Sequence, residues 1–176
     1  MRKATFTLLL VVCTGCAARP PEQAYETNGF RFVPPPGWSE RARHEDAAGS
    51  PTQDRLLVQY KRLTAGHLAR LRVSVADVPS SVDLARCLSD HPLDKGWRTS
   101  GRIESLEVNG LPAVRAAMAG KLQKMNYEGE LLAVRQGERV YFFTAIFPMN
   151  DDQAREQARQ AVTAAKWHAT TEVAAR

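Results

Sequence analysis

Sulfur is scarce in this chain: three cysteines in 176 residues, two of them at positions 13 and 16, which excludes a disulfide-stapled exported module. No Gly-rich loop is followed by Lys and Ser or Thr to cradle a phosphate. There is no His-Glu-x-x-His helix for zinc, no Gly-x-Ser-x-Gly nucleophile elbow and, beyond residue 16, no Cys-x-x-Cys redox pair. No apolar run reaches the roughly 20 residues of a membrane-spanning helix. Charge of one sign is lacking as well. The 24 basic and 19 acidic residues are interspersed, so the formal +5 does not form a nucleic-acid stripe.

What is present begins with an address. Arg2-Lys3 precedes an almost wholly apolar run from Ala4 to Cys13, the pattern of a signal segment. The run ends in Val12-Cys13-Thr14-Gly15-Cys16, which resembles the lipobox of bacterial lipoproteins, although Cys13 stands where that family usually has Leu or Val. The resemblance implies removal of residues 1–15, a diacylglyceryl group on the Cys16 sulfur, an acyl chain on its new amino group, and a membrane partner held through that lipid. Ala17 rather than Asp after the modified cysteine implies, in a diderm cell, the periplasmic face of the outer membrane. An ordinary secretory signal cleaved near Cys16 or Ala18 is the alternative.

Removal of Arg2 and Lys3 leaves 22 basic residues against 19 acidic, a mild formal +3 over residues 16–176. Cys87 is then the one thiol left for chemistry, either buried and inert or reactive. Residues 16–28 lack apolar periodicity and read as a tether, 29–168 as one domain and 169–176 as a frayed tail.

Within 29–168 the strongest pattern lies at 127–147. Two β-rich arms flank Gln136-Gly137, and in the second arm Val140, Phe142 and Ile146 alternate with Tyr141, Phe143, Ala145 and Phe147, apolar on both faces. Gly29-Phe-Arg-Phe-Val33 alternates as a short strand stopped by Pro34-Pro-Pro-Gly37. Residues 55–62 and 68–75 pair across a turn near Gly66-His67. Residues 103–108 and 111–118 pair across Asn109-Gly110, a dipeptide that tolerates positive φ. Pro79-Ser80-Ser81 introduces a helix capped by Ser80 or Ser81 and ending at His91-Pro92. A second helix starts at Asn150 or Asp151 and carries Ala154, Ala158, Ala161, Val162 and Ala165 as a narrow apolar stripe, with Glu156 and Arg159 paired on its wet side; Lys166-Trp-His168 ends it.

Candidate chemistry is sparse. His44, Glu45 and Asp46 are adjacent in a polar loop and do not converge on a metal. Asp90-His91 with Cys87 four residues earlier is the one acid–imidazole–thiol grouping, read first as helix-end packing and second as a thiol-dependent enzyme. Arg70 and Arg72 share one sheet face, read as hydrated. Glu128 and Glu130 share another without an opposing pocket for glycoside chemistry. Met118 and Met125 read as core or seam fillers. Trp38 reads as covering one end of the core and Trp97 as filling the seam between helix and sheet, and the two are also the candidate surface or pocket aromatics. No catalytic residue, cofactor or metal ligand is assigned, and no enzyme activity is expected.

Gly29-Phe-Arg-Phe-Val-Pro-Pro-Pro-Gly-Trp38, then Asn109-Gly-Leu-Pro112, then Gly137-Glu-Arg-Val-Tyr-Phe-Phe143 before a last helix near Trp167, resembles the PsbP-like superfamily of photosystem II extrinsic proteins, a nuclear Ran-binding protein and many bacterial lipoproteins. That resemblance implies an α/β/α sandwich, a central largely antiparallel sheet covered by helices on both faces. It also implies a non-catalytic protein-interaction or assembly module with an envelope protein partner. A small-ligand or lipid-binding module, with a cavity between sheet and helix, is the competing expectation.

Overall fold

A strand apolar on both sides needs a neighbour along each edge and cover above and below. The computed structural model describes residues 24–27, 29–43, 54–64 and 67–168. The leader, Cys16, the His44-Glu45-Asp46 group and the tail 169–176 lie outside the described residues. The elements, in chain order, are β1 (Tyr25–Thr27), β2 (Phe30–Phe32), β3 (Ser39–Arg43), β4 (Arg55–Thr64), β5 (His67–Asp77), α1 (Leu84–Asp90), β6 (Arg98–Val108), β7 (Leu111–Leu122), β8 (Met125–Gln136), β9 (Arg139–Pro148), α2 (Asp152–Thr163) and β10 (Lys166–Trp167).

Seven strands form one sheet in the order β3-β4-β5-β9-β8-β7-β6, with every adjacent pair antiparallel. The doubly apolar strand is therefore the middle of the seven. Its alternation separates two cores. Tyr141, Phe143, Ala145 and Phe147 pack with the alanines of α2, whereas Val140, Phe142 and Ile146 pack with Leu88 of α1.

The cover is richer in strand than expected. On the α2 side a small three-stranded sheet, β1-β2-β10, lays Phe30 against Tyr141 (ring centroids 4.9 Å apart), with Trp167 at 5.7 Å from Phe30. On the other side the helical cover is the seven residues of α1. The expected sandwich is thus met in its antiparallel sheet, while only two helices occur among the described residues.

Several boundaries move. The supposed tether includes β1, in which Tyr25 is buried opposite Phe32; residues 28–29 are Asn-Gly, a two-residue hairpin signal like the one at 109–110. α1 is capped by Asp83, whose carboxylate accepts from the Arg86 N–H at 3.1 Å, rather than by Ser80 or Ser81. α2 stops at Thr163, and Lys166-Trp167 leaves it to pair with β2 instead of ending the helix. β7 and β8 run on to a tight turn at Gln123-Lys124, both at positive φ (50° and 70°), which no glycine or asparagine announces. His67 lies in β5 rather than in a turn.

Two turns match their chemistry. Gly37 has φ 81° after Pro36, and the Trp38 N–H returns to the Pro35 carbonyl at 3.2 Å. Asn109 (φ 52°) and Gly110 (φ 80°) close β6 onto β7, and Asn109 Nδ2 also donates to the Thr163 and Ala165 carbonyls at 2.9 and 2.6 Å, tying that turn to the end of α2.

Phe143→Asp would bury a charge where the side chain is 2% exposed. Urea denaturation is expected to show a loss of roughly 4 kcal/mol or more, or no folded protein. At Gly129 an added Cβ would sit 2.5 Å from the Ala145 carbonyl oxygen of β9, backbone that cannot swing aside. Gly129→Ala is expected to cost about 1–3 kcal/mol by the same measurement.

Candidate functional site

Two places on the sheet gather side chains able to act on something else. The first lies beside α2, on the β6 side of the sheet. The helix buries Ala154, Ala158, Ala161 and Val162, small residues that let it lie close to β8 and β9. Its arginines match the strand beneath. Arg155 pairs with Glu128 and Arg159 with Glu130. Four helical residues advance about 6 Å and two strand residues about 6.8 Å, so the ladder stays in step only if α2 runs along β8. Glu128 and Glu130 thus dock the helix, and Arg159 turns inward to Glu130 rather than pairing with Glu156, which accepts from Gln160 at 2.8 Å.

Beyond this ladder the helix ends its cover. An apolar groove of about 160 Å³ opens between α2 and the β6 side of the sheet, lined by Leu106, Val108, Leu132, Phe143, Ala158 and Val162. Arg115, Glu130 and Arg159 also line it. Arg115 donates to Glu104 at 2.6 Å and holds that carboxyl below its ordinary range; Glu130 in turn raises the Arg159 guanidinium further. The charges around the groove are paired, and its floor is apolar.

The second place is polar and lies on the opposite face. His91, the C-terminal cap of α1, stacks on Phe142 with ring centroids 4.3 Å apart, and its Nδ1 is 3.5 Å from Asp54 Oδ2. Arg72 Nη2 approaches the same oxygen at 3.9 Å. Among the described residues neither Asp54 oxygen completes a hydrogen bond, nor do Arg72 Nε, Ser74 Oγ and Thr144 Oγ1. Arg72 faces Thr144 and Ser74 faces Phe142 across β5 and β9, so the register gathers these groups under the connection between α1 and β6. A cleft of about 20 Å³, room for a single water, adjoins them beside Trp97.

This arrangement corrects several expectations. The acid facing His91 is Asp54; Asp90 lies 3.6 Å from Arg86 on the surface. Cys87 Sγ takes a long contact (3.8 Å) from Arg135, whose guanidinium mainly clamps the Val78, Pro79 and Val82 carbonyls. Thiol and imidazole therefore serve different contacts. Arg70 and Arg72 are not on an open hydrated face: Arg70 pairs with Asp94 of the covering segment and Arg72 with Asp54. Trp38 is neither a surface nor a pocket residue. It is fully buried, with Nε1 donating to Gln157 Oε1 at 3.0 Å. Trp97 is half-buried against the other core, its ring filling the space a Gly120 side chain would need, so the two tryptophans flank no common opening. Met118 is core, but Met125 is exposed.

Asp54 and Leu106 carry no sequence signal of their own. The first follows a polar loop; the second belongs to an alternating strand in which nothing indicates that the helix stops short of it.

Comparison with known proteins rests on shape. No protein-family model matches the chain, and no curated protein matches it. Among solved structures, cyanobacterial PsbP (CyanoP) from Synechocystis sp. PCC 6803 superposes with a TM-score of 0.57 at 13% identity, over 89% of this chain and 99% of that one. The chain has a PsbP-like fold. A Bacteroides thetaiotaomicron VPI-5482 protein shares the fold at TM-score 0.51 and 11% identity, over 79% of this chain and 45% of that one. LpqN of Mycobacterium tuberculosis, described as involved in cell envelope biogenesis, gives 0.50 and 11%, over 78% of this chain and 82% of that one. At such identities the PsbP-like fold is what is shared, and the roles of side chains must come from this chain's own geometry.

His91 supplies a pH dependence. Burial lowers its pKa from 6.5, Arg72 lowers it further, and Asp54 opposes both. The folded protein therefore holds this proton less readily than the unfolded chain. The contribution is full above about pH 6.5 and declines as pH falls toward the lower folded value. Urea denaturation at about pH 7.5 and pH 5 is expected to show a loss of stability in the parent that is reduced in His91→Gln.

Proposed function

We propose that the chain is an exported, non-catalytic interaction module of the cell envelope, anchored through lipid on Cys16 and receiving an apolar side chain of a protein partner in the groove beside α2. In this reading the architecture is a strand-rich form of the α/β/α sandwich. Groove size carries the argument. About 160 Å³ is well below the roughly 300–1,000 Å³ of small-molecule sites, yet close to the ~150 Å³ that accommodates a benzene ring. A half-open recess of that size suits a single anchoring side chain with paired charges around it, the pattern of an interface hot spot. The involvement of LpqN in cell envelope biogenesis fits this placement.

The competing reading is a small apolar ligand, because the cavity does lie between sheet and helix. The two separate by experiment. Cross-linking of the acylated protein in membranes is expected to join it to an envelope protein. Leu106→Arg, at the half-buried wall of the groove, should reduce that product at least about tenfold while leaving the melting temperature within a few degrees. Unchanged cross-linking would reject the groove as the docking site. Native mass spectrometry showing a retained apolar molecule, lost in the same variant, would favour the ligand reading.

A further inference from the structure

Three of the four large apolar side chains exposed among the described residues, Leu63, Met125 and Met149, lie at one end of the seven-stranded sheet. The register requires it. Leu63 faces Leu68 beside the β4–β5 turn, Arg70 faces Ile146, Tyr127 faces Pro148, and Leu122 faces Met125. The β4–β5 turn, the β9–α2 junction and the β7–β8 turn therefore share an end. The four adjacent strands β4, β5, β9 and β8 span roughly 15 Å at about 4.8 Å per step. Leu63 is 73% exposed and Met149 48%, so burial within the fold does not explain their chemistry. Apolar tips concentrated in one place mark a contact surface.

The same end carries unbalanced positive charge. Lys121 and Lys124 bracket the β7–β8 turn and Arg98 starts β6 opposite Ala119; none of the three makes an ion pair among the described residues. The acidic groups nearby are engaged: Asp151 caps α2 and faces Arg62, while Asp152 and Glu128 both hold Arg155.

The start of β1 also lies at this end. Phe30 stacks on Tyr141 near the start of β9, and Phe32 packs on Tyr60, level with Leu71 and Ala145 farther along. β2 thus runs toward the apolar tips. Its antiparallel partner β1 runs away from them, so Ala24, just before β1, lies on the tip side. Seven residues lie between Cys16 and Ala24, so the contour from one to the other is at most about 28 Å.

We propose that this end of the sheet is a membrane-contacting surface. Leu63, Met125 and Met149 enter the interfacial layer of an anionic bilayer, and Lys121, Lys124 and Arg98 meet its lipid phosphates. Charge complementarity and the tip-side position of Ala24, close in sequence to Cys16, select a lipid surface as the occupant. The orientation rests on the lipid-anchor reading above, but the contact is testable without any acyl chain.

The experiment is flotation of the whole chain from residue 16, carrying Cys16→Ser, with vesicles of phosphatidylglycerol and phosphatidylcholine. Binding is expected at low salt. It should fall about tenfold or more in Leu63→Ser/Met125→Ser/Met149→Ser, in Lys121→Glu/Lys124→Glu, and on pure phosphatidylcholine vesicles. Because all five positions are exposed, melting temperatures should not move. No flotation with anionic vesicles, or a triple variant that floats like its parent, overturns the proposal. Flotation that behaves as expected, with a native Cys16 that carries no acyl mass, supports the contact and overturns only the anchor.

Discussion

Burial of β9 on both faces is the constraint that the other elements answer. Each of Phe142 and Phe143 contributes about 1.5–3 kcal/mol when removed from water, a large fraction of the 5–15 kcal/mol by which a domain is stable. To bury both at once the strand needs partners along each edge and a layer on each side. Position four of seven meets the first need. The second is met asymmetrically. Aromatic rings from β2 and β10, with the alanine face of α2, close one side, and a two-turn helix with its following segment closes the other. The termini of the domain are thereby recruited as cover, which explains why Tyr25 and Trp167 belong to the fold rather than to its fringes.

The asymmetry produces the two candidate sites. On the α2 side, a helix of small residues sits close to the sheet and is held by arginines in step with Glu128 and Glu130. Close approach limits the width it covers. Leu106 and Val108 on the edge side are left against a recess instead of a helix, and the groove follows from the size of the alanines.

On the α1 side the short helix cannot cover the sheet, and the segment after it does so with mixed chemistry. His91 stacks on Phe142, Trp97 takes the space above Gly120, and Asp94 ties Arg70. Polar side chains from β5 and β9 are buried among them because their register places Arg72 beside Thr144 and Ser74 beside Phe142. The exposed tips have a different origin: three turns meet at one end because every strand pair is antiparallel, and their apolar residues are not folded inward.

The sequence by itself determined the hairpins whose turns carry a stereochemical mark, the two-sided central strand and the alanine stripe, because alternation and turn residues act over a few neighbours. It also pointed, through resemblance, to the PsbP-like fold that the structural comparison shows. It did not determine β1 or β10, whose two or three residues gain stability only from a partner distant in the chain. Nor did it reveal the Gln123-Lys124 turn, since residues of ordinary type were driven to positive φ by the pairing on either side. Tertiary structure alone decided which acid meets His91, where Arg155 and Arg159 go, that Trp38 is sealed while Trp97 is not, and that Leu106 borders a groove. Those outcomes depend on which surfaces come within a few ångströms across dozens of residues of separation, and local periodicity carries no record of such distances.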